Sequence, residues 1–155
     1  WPKYVEGCEK GGRKADPANW RVAKSIFVAD DLATAKAYAL DPQGPYVSYY
    51  RSLFTKLKKN GRIELFKTYR DQPDDEVTLD MICDKLIIWG TPDKVADDLL
   101  AFKDEVGEFG TLLYAGKDWK DKNLGRRSMI LLAEKALPLI NQAGSQSRPH
   151  AEVAE

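Results

Sequence analysis

The sequence predicts an α/β fold that is rich in helices, has few strands, and forms part of a larger parallel sheet. Two segments have the character of strands. Residues 20–29 alternate between two faces and contain several β-branched residues, and residues 109–116 form a short apolar run. An amphipathic segment follows each of them, and this alternation is typical of parallel α/β folds.

The first half of the chain is predicted to be mostly helical. Residues 1–12 favour a short helix, and a second helix after strand 20–29 would be capped by Asp30 or Asp31. Apolar residues recur at helical spacing over 46–59, and lysines follow at the carboxyl end, where the helix dipole favours them. VTLDMICDKLI predicts a further short helix, whereas IIWG is too short to be assigned as a strand.

The stretch WGTPD raises the question of whether it binds a ligand or only begins a helix. Thr91 suits the N-cap, Pro92 the first helical position, and Asp93 the positive end of the dipole. The helix would end at Gly107. Free N–H groups at such a start can also bind an anion, but a Gly-Thr-Pro triplet alone is weak evidence for a phosphate site.

The second strand and the final helix complete the predicted order. An apolar strand after a helix suggests burial on both faces, so we expect Leu113→Asp to be severely destabilising. Pro138 should disturb the last helix, and residues 143–155 are predicted to be a disordered tail. The apolar face of that helix is expected to contain Met129, Leu132, Ala133, Ala136 and Ile140.

Two strands alone would leave apolar sheet edges unpaired, which indicates an incomplete sheet. A (β/α)₈ barrel typically needs about 250 residues, and this chain has 155. We therefore expect residues 1–142 to form a piece of a larger barrel, or a subunit completed by another chain. Assembly into a homo-oligomer remains an open alternative.

Composition excludes several functions. Lysine plus arginine equal aspartate plus glutamate, at 24 each, so neither nucleic acid nor an anionic membrane is favoured as a partner. No apolar run is long enough for a membrane helix. The widely separated Cys8 and Cys83 favour reduced thiols and a cytoplasmic protein. The only histidine is His150, so a histidine-based metal site or catalytic triad is not expected.

An ordered set of motifs resembles one family. The set comprises the strand WRVAKSIFVAD, a long helical insertion over 44–80, the helix start GTPDKV, the strand FGTLL followed by a DW pair, and a last helix that runs from RRSM to ALP. Together they resemble the C-terminal portion of the bacterial luciferase-like flavin monooxygenases, including limonene-type and alkane-type enzymes. The resemblance covers about residues 1–142.

The resemblance implies a TIM-like (β/α)₈ barrel in which residues 20–29 and 109–116 are the seventh and eighth strands. It also implies reduced FMN (FMNH₂), supplied by a flavin reductase, which reacts with O₂ to give a C4a-(hydro)peroxyflavin that oxygenates a small organic substrate. Deazaflavin (F420)-dependent oxidoreductases share this barrel, so F420 is the alternative cofactor. Most flavin-holding positions of the family would lie in an absent N-terminal barrel portion, so this chain alone is expected to be inactive.

Candidate site residues follow from the rule that barrel chemistry lies at the carboxyl ends of strands. Gly116 and Lys117 are the candidates for cofactor contact, although a turn and a solvated loop are the simpler explanations. Lys117 also stands where relatives often have histidine. Tyr114 and the insertion aromatics Tyr46 and Tyr50 are the candidates for substrate contact, with core packing as the alternative. No catalytic residue and no metal ligand is predicted.

A non-enzymatic helical interaction module is the competing hypothesis. It would be built on the helices at 46–59 and 122–142. Parallel, neighbouring strands at 20–29 and 109–116 would favour the barrel, whereas helical or unpaired segments there would favour the module.

Overall fold

The computed structural model describes residues 1–117 and 119–146. Its strands are β1 (Arg21–Val28), β2 (Ile87–Gly90) and β3 (Thr111–Tyr114). Short 3₁₀ turns lie at Pro17–Asn19, Ile63–Phe66 and Asp74–Glu76. The helices are α1 (Pro2–Lys10), α2 (Leu32–Ala39), α3 (Pro45–Lys59), α4 (Leu79–Leu86), α5 (Pro92–Val106), α6 (Lys122–Leu131) and α7 (Leu137–Gln146), with a π-helical segment, Leu132–Ala136, between the last two.

The sheet is parallel and has the order β2-β1-β3. The amino-terminal half of β1 pairs with β3, in the register Arg21↔Thr111 to Lys24↔Tyr114, and its carboxyl-terminal half pairs with β2. The two predicted strands are therefore parallel neighbours, which confirms the α/β prediction and removes the premise of the helical module. The strand β2 was not predicted, because four residues carry too little periodicity to show a strand before its partner is known.

Alternation along β1 divides the core into two clusters. Phe27 and Ala29 lie in a cluster with residues from α2, α3 and α4, whereas Ile26 and Val28 pack with α5, the π-helical segment and Leu131. Residues 25–29 are all buried. The carboxyl-terminal half of β1 is thus covered on both faces, and the insertion helices provide one of the two covers.

The prediction that the last strand is buried on both faces is wrong for the described residues. Leu112 and Tyr114 pack against the α5 cluster, but Leu113 is 49% exposed on the opposite face. No described helix covers that face of β3. The severe destabilisation expected for Leu113→Asp therefore has no support from contacts within this part of the chain.

Helix starts explain several polar side chains. Asp31 caps α2 by accepting from the N–H of Thr34 at 2.8 Å, so Asp30 is not the cap. WGTPD is a helix start, because Pro92 opens α5 and Thr91 occupies the N-cap position. The Thr91 side chain makes no capping hydrogen bond, however, which corrects its predicted role. Gly90 before it has a φ of +155°, which an L side chain rarely adopts.

The final helix differs from the prediction in two ways. Leu132 and Ala136 are buried as predicted, but Met129, which is 48% exposed, and Ala133 are not, and Leu131 is buried in addition. The π-helical turn, just before Pro138, changes which residues face the core. Such a turn also accommodates the missing N–H of Pro138.

The helix also continues past residue 143 to Gln146, so the disordered tail was predicted to start too early. Residues 147–155 of that predicted tail lie outside the described residues. No helix within the described ranges is long and apolar enough to span a membrane.

Candidate functional site

The candidate site lies where β3 separates from β1 at the carboxyl end of the sheet. The last backbone bond between the strands runs from the N–H of Ala115 to the carbonyl of Lys24, at 2.9 Å. The N–H of Gly116 then turns back to the carbonyl of Tyr114, at 3.0 Å. Gly116 therefore forms a turn, as the simpler explanation predicted, and the chain leaves the sheet at this residue.

Two side-chain hydroxyls replace the strand partner that β1 loses at this point. Tyr46, from α3, donates to the carbonyl of Ile26 at 2.6 Å, and the N–H of Val28 donates to Oγ of Ser128, from α6, at 2.8 Å. Tyr46 and Ser128 are both fully buried. The Ile26 carbonyl and the Val28 N–H thus have hydrogen-bond partners other than β3, and the ends of β1 and β3 can lie apart.

Tyr50 is held in a similar way one turn further along α3. Its hydroxyl lies 2.9 Å from Oγ of Ser25 and 3.4 Å from the carbonyl of Leu86. Burial raises the pKa values of both Tyr46 and Tyr50, and for Tyr46 the neighbouring Tyr114 adds to the effect. Both predicted substrate residues therefore carry protonated hydroxyls that bind the protein itself.

Three other polar groups near this edge are buried without a hydrogen-bond partner among the described residues. They are the hydroxyls of Tyr38 and Tyr114 and the indole Nε1 of Trp119. Tyr38 stacks on Phe27 with ring centroids 4.2 Å apart and faces Tyr46 edge-on. Buried donors without partners are costly, so each of these groups is a candidate contact for a hydrogen-bond acceptor.

Lys117 lies against the insertion. Its Nζ sits 3.9 Å from the ring centroid of Tyr49 and 5.9 Å from that of Tyr50, in cation–π geometry. Burial lowers the pKa of Lys117. Lys117 is therefore partly buried rather than fully solvated, and it makes no ion pair within the described residues. Its contact with the tyrosines connects the loop after β3 to helix α3.

An ion pair lies just after the carboxyl end of β1. Nε of Arg127 donates to Asp30 at 2.9 Å, and Nη2 donates to the other carboxylate oxygen. The hydrogen bonds from Arg127 hold the pKa of Asp30 below its usual value. Arg127 therefore has a carboxylate partner from the end of β1, and its guanidinium is already engaged.

The loop after β3 is also fixed by packing. The Trp119 ring lies directly on Gly125 of α6, where a side chain would collide with it. Nζ of Lys120 reaches Oδ2 of Asp41 at 3.2 Å. These contacts place Trp119 on the same helical face as Ser128, because Gly125 and Ser128 are three residues apart.

Two other clefts of the described residues lie away from this site. One of about 410 Å³ borders β2 and α5, where Lys24 and Lys94 lie over the rings of Phe102 and Trp89. Another of about 360 Å³ lies between α2, α3 and α4, beside Cys83. No group of His, Cys, Asp or Glu within the described ranges could hold a metal ion.

Sequence reasoning missed three residues of the site. Tyr38 and Ser128 gave no signal, because a hydroxyl within a helix pattern does not show which strand it reaches. Trp119, in the DW pair, was expected to be a structural ring-packing residue. The spacing of Gly125 and Ser128 on one face of α6 was the available hint.

Comparison with known proteins shows which proteins the chain is similar to. No protein-family model matches the chain. It is 30% identical over 141 residues, 91% of its length, to a 4-hydroxyprotoasukamycin monooxygenase from Streptomyces nodosus subsp. asukaensis. It is 23% identical over 90% of its length to a 3,6-diketocamphane 1,6-monooxygenase from Pseudomonas putida. The chain spans only 36% and 37% of the lengths of these two relatives.

A solved structure has the same fold. It is the oxygenating constituent of 3,6-diketocamphane monooxygenase from Pseudomonas putida, a type II Baeyer–Villiger monooxygenase in complex with FMN. The TM-score is 0.71 at 24% identity, and the match covers 90% of this chain and 38% of that one. The helix-rich α/β unit therefore has the fold of part of a larger monooxygenase, consistent with the predicted partial barrel.

Proposed function

We propose that residues 1–142 are the C-terminal portion of an FMN-dependent monooxygenase that inserts one oxygen atom from O₂ into a small organic substrate. One observation carries this proposal. Nine-tenths of the chain aligns with two monooxygenases, and a flavin-containing structure superposes on the same share of it. The rest of the barrel would be the remainder of the same protein, and a flavin reductase would supply the reduced cofactor.

The described residues fit one part of a flavin. Trp119 Nε1 is a neutral donor without a hydrogen-bond partner among the described residues, and the Tyr114 hydroxyl lies beside that of Tyr46; both would suit the carbonyl and nitrogen acceptors of a planar ring system. Neither Arg127 nor Lys117 is free to bind the phosphate, because Arg127 is engaged by Asp30 and Lys117 lies on Tyr49. We infer that the phosphate is held by residues outside this chain. Reduced flavin would supply the two electrons with which one oxygen atom enters the substrate and the other forms water.

The candidates divide into binding and supporting roles. Tyr114 would contact the ligand, with Gly116 and Lys117 beside it at the same strand end. Tyr46 and Tyr50 would form the wall behind it, since their hydroxyls already bind β1 and its neighbours. The insertion would thus exclude water from the site by packing its aromatic face against the sheet.

The test uses the full-length protein. It is titrated with FMN and, in parallel, with F420, and binding is followed by fluorescence. The protein is then given chemically reduced FMN, ¹⁸O₂ and a cyclic ketone, the substrate type of the Baeyer–Villiger relative. We expect FMN binding in the micromolar range or tighter and one ¹⁸O atom in the product. Binding of F420 alone would support the deazaflavin alternative, and binding of neither cofactor would overturn the proposal.

The site residues need their own variants. Tyr114→Phe should weaken FMN or ketone binding, while Tyr69→Phe on the exposed surface serves as the matched control. Because chemically reduced FMN is supplied, the assay needs no flavin reductase and reports on the site alone. Unchanged binding constants in Tyr114→Phe would remove Tyr114 from the proposed site.

A further inference from the structure

Lys117 joins two parts of the molecule that are distant along the chain. It lies in the loop after β3, and its Nζ is 3.9 Å from the ring centroid of Tyr49 and 5.9 Å from that of Tyr50, both on α3. The two rings meet edge to face, with their centroids 5.1 Å apart. We define these three residues as the lysine–tyrosine junction. It connects the carboxyl end of β3 to the insertion.

The lysine–tyrosine junction continues to the neighbouring strand. The Tyr50 hydroxyl lies 2.9 Å from Oγ of Ser25 in β1, and both residues are buried. The junction therefore reaches from the loop after β3 to Ser25. It links β3 to β1 at the level where the two strands separate, and helix α3 lies between the two contacts.

Lys117 differs from other lysines that lie over aromatic rings. Lys94 also forms a 2.6 Å ion pair with Asp98, and Lys24 also donates to a backbone carbonyl at 3.3 Å. Lys117 makes neither an ion pair nor a side-chain hydrogen bond within the described residues, so the rings are what hold its ammonium. Burial lowers the pKa of Lys117, because the ammonium has lost part of its hydration. A partly desolvated ammonium is attracted to an aromatic face more strongly than an exposed one.

We propose that Lys117 is a positioning residue that acts through Tyr49. Its ammonium holds α3 against the carboxyl end of the sheet, and this fixes Tyr46 and Tyr50 as the wall of the proposed site. This inference rests on the proposed function, because the wall serves catalysis only if the site oxygenates a substrate. It adds that one charge in the loop after β3 determines how well the insertion excludes water from the site.

A second lysine of the same loop provides the matched control. Nζ of Lys120 contacts Oδ2 of Asp41, in the segment between α2 and α3, at 3.2 Å. The two side chains of this pair are 61% and 30% exposed, and exposed ion pairs contribute little to stability. Lys120→Met therefore removes a lysine from the same loop, and a contact with the same part of the insertion, without changing the lysine–tyrosine junction.

The first experiment measures amide hydrogen exchange in the full-length protein without flavin. In Lys117→Met, which removes the charge, the peptide covering residues 45–59 should exchange about 2- to 30-fold faster, the range that the strength of one cation–π contact allows. Lys117→Arg keeps a cation over the ring and should restore the protection, and Lys120→Met should change it little. Residues 92–106 are the internal reference, because α5 packs on the other face of the sheet.

A double substitution locates the effect in the contact itself. Tyr49→Leu should also accelerate exchange in α3, whereas Tyr49→Phe keeps the ring and should not. Lys117→Met should add nothing in the Tyr49→Leu background, because both substitutions remove the same contact. Additive effects would overturn the proposal. Equal exchange in Lys117→Met and Lys120→Met would also overturn it, and so would equal acceleration in α3 and α5.

The second experiment measures whether the lysine–tyrosine junction serves the site. The full-length protein receives chemically reduced FMN, O₂ and a cyclic ketone, and both hydrogen peroxide and oxygenated product are quantified. When water enters the site, the two electrons of the reduced flavin and two protons convert O₂ to hydrogen peroxide. The ratio of peroxide to product should therefore rise several-fold in Lys117→Met and fall back in Lys117→Arg. Faster exchange with an unchanged ratio would give Lys117 a structural role only and would overturn the proposal.

The positioning role and the monooxygenase proposal can fail separately. The exchange measurements use no flavin, so they decide whether Lys117 holds α3 whatever cofactor the protein binds. Absence of FMN binding would refute the monooxygenase proposal alone. Normal FMN binding and oxygenation with unchanged exchange in Lys117→Met would refute the positioning role alone.

Discussion

The hydroxyl of Tyr46 donates a 2.6 Å hydrogen bond to the backbone carbonyl of Ile26. A helix of the insertion thus provides what a neighbouring strand would normally provide to β1. Because β3 has left the sheet at this level, the carbonyl has no other described partner. This bond makes the insertion part of the sheet edge and links the position of α3 to the separation of β1 from β3.

Tyr46→Phe should therefore destabilise the protein by about 1–3 kcal/mol, since it leaves a buried carbonyl without a donor. The ring volume is nearly unchanged, so the loss reports the hydrogen bond alone. Urea unfolding measures the free energy of unfolding. Tyr69→Phe is the control, because that hydroxyl binds Glu76 on the surface, and it should change the value by less than about 0.5 kcal/mol. Equal effects in the two variants would contradict the strand-edge role.

Ser128→Ala is expected to have a similar cost, about 1–3 kcal/mol, because it leaves the N–H of Val28 buried and unpaired. Ser48→Ala is the matched control, as Ser48 is exposed on α3 and alanine favours a helix. Amide hydrogen exchange gives a second measurement. The N–H of Val28 should exchange faster in Ser128→Ala, and unchanged protection would show that another acceptor replaces the serine.

These two bonds also show where sequence reasoning ends. The period-two alternation of residues 20–29 and the apolar run at 109–116 predicted β1 and β3, because each pattern reports burial along one strand. The strand β2 could not be predicted, since four apolar residues fit a helix or a strand equally well. Ser128 is a small polar residue in a helix, and only the crossing of α6 over β1 gives it a function.

The same limit explains why the predicted burial of Leu113 was wrong. An apolar residue in a strand was expected to be buried, but burial depends on whether another element covers that face. Pro138 was expected to disturb the helix, and the structure shows a π-helical turn directly before it. The pattern predicted the disturbance but not the resulting exposure of Met129, because a π-helical turn changes which side chains share a face.

The ion pair between Asp30 and Arg127 should make stability depend on pH in the acid range. Arg127 holds the pKa of Asp30 below its usual value. A depressed carboxyl pKa contributes stability that is present above the unfolded pKa, about 3.9, and is lost as the pH falls through the folded pKa. Both side chains are largely exposed, so the effect on the melting temperature should be small.

The measurement is the NMR titration of the Asp30 carboxyl carbon. Arg127→Gln should return the Asp30 pKa toward its ordinary value. Arg126→Gln is the control, because Arg126 is the neighbouring exposed arginine. A titration of Asp30 that is unaffected by Arg127→Gln would exclude the ion pair.

The two thiols should differ in reactivity. Burial raises the pKa of Cys83 to about 11, and its side chain is only 4% exposed. Cys8 is half-buried on α1. The thiolate is the reactive form, so iodoacetamide at pH 8 should label Cys8 and leave Cys83 unlabelled in the folded protein. Mass spectrometry with and without urea measures this, and equally fast labelling of both would contradict the burial of Cys83.

The contact between Trp119 and Gly125 gives the last prediction. A β-carbon at Gly125 would collide with the indole ring, which cannot swing aside like the end of a flexible chain. Gly125→Ala should therefore destabilise the protein by about 1–3 kcal/mol. It should also shift Trp119 fluorescence, because the ring must leave its buried place, and Trp119 should be the only tryptophan so affected.

Gly7→Ala provides the contrast, since Gly7 lies within α1 with no atom in the way of a side chain. Alanine favours a helix over glycine, so Gly7→Ala should be neutral or stabilising by up to about 1 kcal/mol. The opposite signs of the two substitutions isolate the collision from the ordinary effect of glycine. If Gly125→Ala were also stabilising, the loop after β3 would not be fixed on α6, and Trp119 would not lie on Gly125.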